Sequence, residues 1–312
     1  MKRLLAAAAV AVALLTGCAV TPAVQWERST FEGFDVISYV PEHPRGMVYL
    51  FHGTGGSARF AEKVETTDVL NRLVARGYGF VSTSSTERTG NRRWNAADPS
   101  LATNPDLARL TRLQAHIVAT TPVQANTPLV GIGMSNGARF VTLWGQSFRN
   151  AGYPVKAVWA SHGRTADPYE PRGQLTVPSV FSTSENDFTV ATGGVVGSYL
   201  RAHNAGTPSE LYISRERDLN RAQYQRIPSI DQQKANQIFF SLVATGAWDR
   251  QGRRTDADVQ DAAAKALGAN LPGSVAPVRS EIDSESLLIL AVHQFTAEYA
   301  NQAIAFFDRY VP

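Results

Sequence analysis

The stretch that decides the fold reads Leu129-Val-Gly-Ile-Gly-Met-Ser-Asn-Gly-Ala-Arg-Phe-Val141. Its first apolar residues predict a buried strand, and a helix-compatible run follows the second glycine. Between them, Gly133 and Gly137 flank Ser135 in a Gly-x-Ser-x-Gly pattern, which is typical of a nucleophile elbow. In such a turn the serine adopts a strained backbone conformation, and the glycines keep β-carbons away from the adjoining strand and helix. Because an ordinary strand-to-helix turn can have the same pattern, the chain must also supply an acid, a base and an oxyanion hole.

Strands and helices alternate on both sides of this stretch. Apolar runs predict strands that are buried on both faces, and segments with helical spacing separate most of them. Besides the strand before the elbow, the predicted strands are 34–40, 47–51, 78–83, 155–161, 178–183 and 209–214. This alternation predicts an α/β fold with a doubly wound, mostly parallel sheet flanked by helices.

One segment interrupts the alternation. Residues 216–285 contain two predicted helices, 232–245 and 255–267, after the last predicted sheet strand. We interpret this segment as a helical insertion and a candidate cap; the alternative is a surface helical hairpin without a role in substrate binding. Beyond it, residues 287–292 form a strand-like apolar run and residues 295–310 a long predicted helix.

A glycine-rich loop, His52-Gly-Thr-Gly-Gly-Ser57, follows the strand 47–51 directly. Hydrolases with a nucleophile elbow stabilise an oxyanion with the amide after the nucleophile and with an amide from such a loop. The first amide is that of Asn136, and for the second we favour Thr54, with Gly55 as the fallback. His52 precedes the nucleophile in the chain, so we expect it to brace the loop. A phosphate-binding loop is disfavoured because no Gly-Lys-Ser/Thr follows.

The acid should follow a strand that comes after the nucleophile strand. Asp187 occupies that position, directly beyond the predicted strand 178–183. Glu185 is its main competitor, and Asp167 is a weaker one. A plain helix N-cap is the structural alternative for Asp187.

The base should follow the acid, and only His203 and His293 do so. His203 falls within a predicted helix, where a solvated histidine is the ordinary explanation. His293 lies between the apolar run 287–292 and the terminal helix, which is the position expected for the base, although a core histidine is also compatible. The order Ser135, Asp187, His293 is that of the α/β-hydrolase fold.

These four features together resemble the α/β-hydrolase superfamily over residues 33–312. Within it, the chain is similar to secreted poly(3-hydroxybutyrate) depolymerase-like and feruloyl-esterase-like carboxylesterases. Their Gly-x-x-Asp-x-x-Val acid turn is matched around Asp187, with Ser184 in place of the glycine. Residues 215–285 have no counterpart in those enzymes.

The resemblance implies a serine carboxylesterase that acts on a small-molecule or polymeric ester without a cofactor or metal. A serine peptidase or amidase would use the same triad. A catalytically silent binding lipoprotein remains as an alternative from another class.

A long polar segment after the strand 78–83 contains Arg92, Arg93 and Trp94. Loops in this position often carry binding residues, so we regard these three as a candidate substrate loop. The alternative is a solvated loop with one buried tryptophan.

The first residues resemble an export signal. Lys2 and Arg3 precede a short apolar run, and Leu15-Thr-Gly-Cys18 resembles the lipobox of bacterial lipoproteins. Cys18 is the only cysteine, which excludes an intrachain disulfide. We therefore expect a signal peptide over 1–17, a lipid anchor on Cys18 in the cell envelope, and a tether over 18–32; a non-lipidated signal peptide is the alternative.

The charge distribution favours no nucleic-acid partner. The formal net charge is +3, and Lys2 and Arg3 of the expected signal carry two of those charges. The remaining basic residues are scattered, without a long run or an interleaved aromatic stripe.

Overall fold

The computed structural model describes residues 26–170 and 174–312, and within them a single sheet carries the fold. Its eight strands are β1 (Glu27–Phe31), β2 (Phe34–Tyr39), β3 (Gly46–Phe51), β4 (Tyr78–Thr83), β5 (Leu129–Met134), β6 (Val155–Ser161), β7 (Ser179–Ser184) and β8 (Ser209–Ser214). They lie in the order β1-β2-β4-β3-β5-β6-β7-β8. The pairs β1–β2 and β2–β4 are antiparallel, and the other neighbours are parallel.

The described part contains nine α-helices, and five of them cover the two faces of the sheet. The nine are α1 (Val64–Val74), α2 (Pro105–Thr120), α3 (Asn136–Asn150), α4 (Thr192–Asn204), α5 (Arg221–Gln225), α6 (Gln232–Val243), α7 (Val259–Leu267), α8 (Arg279–Ile289) and α9 (Ala300–Asp308). Helices α2, α3 and α4 pack into one core, and α1 and α9 pack into the core on the opposite face.

Strand β3 shows why the apolar runs predict central strands. Successive side chains of a strand point to opposite faces. Met47, Tyr49 and Phe51 enter one core, whereas Val48 and Leu50 enter the other. All six residues of β3 are buried. The predicted doubly wound, mostly parallel sheet is confirmed, and the architecture is that of the α/β-hydrolase fold.

The sheet begins earlier in the chain than the sequence suggests. The tether expected over residues 18–32 overlaps β1, whose residues pair antiparallel with β2. That strand lies at the sheet edge and is largely exposed, so it lacks the apolar alternation that identifies a half-buried strand. Backbone pairing, which leaves no mark on side-chain composition, holds it in place. The expected signal peptide and Cys18 lie outside the described residues.

The insertion forms a helical unit with its own core. Helices α5 to α8 surround a third apolar cluster that includes Tyr224, Phe239 and Trp248. The strand-like element expected over 287–292 is wrong, because α8 continues to Ile289 and a turn follows. A short apolar run fits a buried helix segment as well as a strand. The terminal helix is α9, shorter than the predicted 295–310.

No helix in the described part of the chain is long and apolar enough to cross a bilayer.

Candidate active site

Ser135 forms a sharp connection between β5 and α3. Its backbone lies at φ 58° and ψ −119°, in the left-handed half of conformational space. Holding a non-glycine residue there costs on the order of 1–3 kcal/mol, and such strain concentrates at functional sites. The Ser135 amide donates to Ser161 O of β6 over 2.8 Å, which fixes the turn against the neighbouring strand. The side chain is partly exposed and points away from the core.

The two glycines of the elbow are required by backbone packing. A β-carbon on Gly133 would collide with the backbone of Gly137. A β-carbon on Gly137 would collide with the carbonyl oxygen of Phe51 at the end of β3. The elbow therefore fits against its own helix and against the strand that leads into the glycine-rich loop.

Asp187 and His293 form a hydrogen-bonded pair beside the elbow. His293 Nδ1 lies 2.8 Å from Asp187 Oδ2, and the other carboxylate oxygen accepts from the amides of Thr189 and Val190 at 2.9 and 2.8 Å. Burial alone raises the pKa of Asp187, but the hydrogen bonds from His293 and Val190 outweigh it and hold the pKa below its ordinary value. The ionised carboxylate therefore orients the imidazole with its proton on Nδ1.

The second ring nitrogen of His293 is left available. Nε2 is buried and has no hydrogen-bond partner within the described ranges. With the proton on Nδ1, Nε2 holds a lone pair that can accept a proton. Ser135 Oγ and Nε2 make no hydrogen bond in this structure. Catalytic hydrogen bonds are often long before substrate binds, so this geometry is compatible with a serine–histidine pair.

Two hydrogen bonds tie the turn of the acid to the loop of the base. The Asn186 amide donates to Ala291 O at 3.0 Å, and its side chain donates to Leu290 O at 2.9 Å. Asn186 precedes Asp187, and the two carbonyls precede His293. These two hydrogen bonds hold the Asp187 carboxylate close to the His293 imidazole, although the two residues are 106 positions apart in the chain.

The competing acids and the competing histidine lie elsewhere. Glu185 is exposed and accepts from the Glu216 amide, and Asp167 pairs with Arg139 at 2.7 Å. His203 is exposed on α4, where its ring stacks on Tyr199. The structure brings Asp187 together with His293 and places neither Glu185, Asp167 nor His203 in that pair.

His162 is a buried residue of the site that the sequence reasoning missed. Its ring nitrogens lie 2.8 Å from Ser161 Oγ and 2.8 Å from Ser184 Oγ, and its ring packs edge-on against His293 with centroids 5.4 Å apart. Burial, and then the neighbouring His293, lower the pKa of His162 to about 3, so the ring is neutral. The available signal was its position, since β6 ends directly before it at the same sheet edge as the elbow.

The glycine-rich loop passes directly beside the nucleophile. A β-carbon on Gly53 would lie 3.3 Å from Ser135 Cβ. The Gly55 amide already donates to Asn91 O at 2.7 Å, and the Gly56 amide donates to Gly53 O at 3.0 Å. The Thr54 amide makes no hydrogen bond to the described residues. Of the two loop amides considered, Thr54 is therefore the one free to bind an oxyanion.

Asn136 is the candidate for the second amide and also anchors a loop. As the first residue of α3, its N–H has no acceptor within the helix. Its side chain binds the Trp94 backbone on both sides: Oδ1 accepts from Trp94 N at 2.7 Å, and Nδ2 donates to Trp94 O at 3.2 Å. The residue that supplies the amide thus also fixes the long polar segment across the site.

The candidate substrate loop divides into one buried and two exposed residues. Trp94 is only 2% exposed, stacks on Phe140 and donates its indole N–H to His52 O at 3.1 Å. It therefore packs beneath the site and presents no surface to a substrate in this structure. Arg92 and Arg93 are exposed on the loop.

His52 lies beneath the glycine-rich loop and interacts only with protein groups. Its Nδ1 lies 2.7 Å from Gly53 O, and its Nε2 accepts from the Ser85 amide at 3.2 Å. Burial is the main cause that lowers the pKa of His52 to about 4, so the imidazole is neutral. This geometry fits the expected bracing role.

An open groove of about 430 Å³ runs along the glycine-rich loop. The loop, Phe60, Lys63 and Met134 form part of its lining, and Ser280 and Glu281 of α8 contribute another part. The insertion therefore borders the site. Within the described ranges, no cluster of three or more His, Cys, Asp or Glu side chains is placed to hold a metal ion.

Comparison with known proteins gives only distant likenesses. No family model matches the chain, and no curated protein matches it. Among solved structures, it is similar to esterase PE8 with 18% identity and a TM-score of 0.46, over 62% of this chain and 90% of that one. A carboxylesterase from Mesorhizobium loti shows 14% identity and a TM-score of 0.46, over 60% of this chain and 88% of that one. A thermostable esterase shows 12% identity and a TM-score of 0.47, over 61% of this chain and 55% of that one.

Proposed function

We propose that the chain is a serine hydrolase that cleaves carboxylic esters, with Ser135 as nucleophile, His293 as base and Asp187 as acid. The observation that supports it most is the buried Asp187–His293 pair, whose free Nε2 lies at the sheet edge that carries the strained Ser135. A binding platform has no need of this arrangement.

The residues suggest a two-step acyl transfer. His293 Nε2 takes the proton of Ser135 as Oγ attacks the ester carbonyl, and Asp187 stabilises the imidazolium that forms. The amides of Asn136 and Thr54 stabilise the tetrahedral oxyanion; loss of one such donor typically costs about a hundredfold or more in rate. His293 then gives its proton to the leaving alcohol. Water, activated by the same nitrogen, attacks the acyl-enzyme and releases the acid.

A substrate panel tests this proposal and separates esters from amides. Purified protein is assayed on p-nitrophenyl esters and on matching p-nitroanilides, beside Ser135→Ala and the control Ser241→Ala in α6. We expect ester hydrolysis that falls by about 10⁴-fold or more in Ser135→Ala and persists in the control. Cleavage of anilides alone would favour an amidase or peptidase. Equal turnover of esters by the wild type and Ser135→Ala would exclude Ser135 as the nucleophile.

We further propose that the protein is a lipid-anchored lipoprotein of the bacterial cell envelope, where it would meet a small-molecule or polymeric ester. The support is the sequence Leu15-Thr-Gly-Cys18 after a short apolar run. Cys18→Ser should release the protein from membranes into the soluble fraction, as seen by fractionation and immunoblotting. If the variant remains with membranes to the wild-type extent, Cys18 does not carry the anchor.

A further inference from the structure

A second cavity lies between α1 and α8. It encloses about 140 Å³. Its apolar lining comes from both the hydrolase domain and the insertion: Phe60, Val64, Met134, Leu288 and Phe295. An apolar cavity of about 150 Å³ in another protein stays dry and binds benzene. The volume therefore suits an apolar group of about six carbon atoms.

The carboxylates at the wall of this cavity are held by protein groups. Glu65 pairs with Arg226 and accepts from the Ala297 amide, and Glu285 accepts from Gln223. Burial is the largest cause that raises the pKa of Glu285 to about 7, which favours its neutral form. Lys63 and Glu281 also line the cavity, and both belong to the part that it shares with the open groove. Since Glu65 and Glu285 already contact protein groups and most of the lining is apolar, the cavity favours an uncharged, apolar occupant.

The position of the cavity connects it to the reacting groups. Met134 immediately precedes Ser135, and Gln294, another lining residue, immediately follows His293. The cavity and the open groove along the glycine-rich loop share Phe60, Lys63, Met134 and Glu281. Met134, which precedes Ser135, lines both spaces, so an ester that reaches Ser135 from the groove can extend a side group past Met134 into the cavity.

We propose that this cavity binds an uncharged, apolar group of up to about six carbons on the ester that Ser135 attacks, and so sets the size preference of the enzyme. This inference rests on the proposed ester hydrolysis. Because α8 supplies one wall, the insertion acts as a specificity element.

The test fills the cavity from α8. Ser284 lines it, and its hydroxyl donates only to Ser280 O of the same helix at 2.9 Å, so Ser284→Leu removes no contact to the rest of the protein. Two ratios of kcat/KM are measured. In the acyl series, the hexanoate or benzoate ester is compared with the acetate ester. In the alcohol series, benzyl acetate is compared with methyl acetate. Ser241→Leu in α6, away from the cavity, is the matched control.

We expect Ser284→Leu to lower the large-to-small ratio at least about tenfold in one series, since a methylene in an apolar pocket is worth about 10–200-fold. The control should keep the wild-type ratio. Leu288→Ala enlarges the cavity and should raise the ratio. This variant provides the test if Ser284→Leu does not fold. The series that responds identifies whether the acyl or the alcohol group enters. Unchanged ratios in the folded cavity variants would overturn the proposal.

A binding measurement separates this inference from the proposed function. Benzyl alcohol should bind Ser135→Ala, as measured by calorimetry, and bind more weakly when Ser284→Leu is added. If the wild type hydrolyses no ester but this difference is present, the esterase proposal fails and the apolar site remains. If neither the difference in binding nor a change in ratio is found, the cavity site is wrong.

Discussion

At the scale of single residues, the elbow depends on close backbone contact. Gly137 faces the carbonyl oxygen of Phe51, and Gly133 faces Gly137 itself. Backbone atoms cannot rotate away as a flexible side chain can, so the β5–α3 turn tolerates no β-carbon at these points. Ser135 keeps its strained conformation because its neighbours on both sides are fixed in this way.

Gly137→Ala should therefore destabilise the protein by about 3 kcal/mol or more and strongly reduce ester hydrolysis. Urea unfolding and the rate on p-nitrophenyl acetate measure the two effects. The control is Gly193→Ala in α4, where a β-carbon would meet no atom within 4 Å. It should be neutral or stabilise by up to about 1 kcal/mol. Equal stability of the two variants would contradict the packing account of the elbow.

The sequence predicted Ser135, Asp187 and His293 as the candidate triad because each has a signal along the chain: a motif, a strand end and a chain order. The role of His162 depends on contacts with Ser184 and His293, which are distant in sequence, so no local pattern marks it. The choice between Thr54 and Gly55 likewise rests on an Asn91 carbonyl that the sequence does not position.

At the scale of elements, a charged cluster joins the insertion to the domain that contains the sheet. Arg226, after α5, contacts Glu65 and Asp68 of α1 and lies 3.7 Å from Glu285 of α8. Glu285 is 1% exposed. Burial, and then the charge of Glu65, raise its pKa from 4.5 to about 7. The wall between the domain and the insertion is therefore sensitive to pH.

The direction of this pH dependence follows from the number of protons bound by the folded and unfolded states. Between pH 4.5 and 7 the folded state keeps the Glu285 proton that the unfolded state loses, so this group's stabilising contribution falls as pH rises. From pH 5 to 8 this contribution falls by about 2–3 kcal/mol. Glu285→Gln should remove it, so the variant gains on the wild type by about that amount. Urea unfolding of both proteins at the two pH values measures this; parallel pH profiles would contradict the assignment.

The sequence predicted the central strands well, because a strand that is buried on both faces has a continuous apolar run of residues. The sequence did not predict β1, which is exposed and held by backbone pairing. It also misled at residues 287–292, where the end of α8 has the composition of a strand. The sequence placed helices in the insertion. The contact of the insertion with α1 depends on Arg226, whose α1 partners, Glu65 and Asp68, lie about 160 residues earlier in the chain.

At the scale of the whole molecule, the parallel sheet brings the chemistry together. Strands β3, β5, β6 and β7 are parallel, so the loops that follow them meet at one edge. Those loops carry Thr54, Ser135, His162 and Asp187, and the segment after the insertion adds His293. Residues that are distant in sequence thus converge without any single loop forming the site, and α8 of the insertion borders the groove beside them.

The most direct test of the central claim is covalent labelling of the purified protein with a fluorophosphonate, followed by peptide mass spectrometry. We expect one adduct, on Ser135, because among the described serines it alone has a strained left-handed backbone and lies beside the Asp187–His293 pair. Ser135→Ala should remain unlabelled, and Asp187→Asn should label far more slowly. Absence of an adduct on Ser135 in folded wild-type protein, or a rate unaffected by Asp187→Asn, would contradict the assignment of the active site.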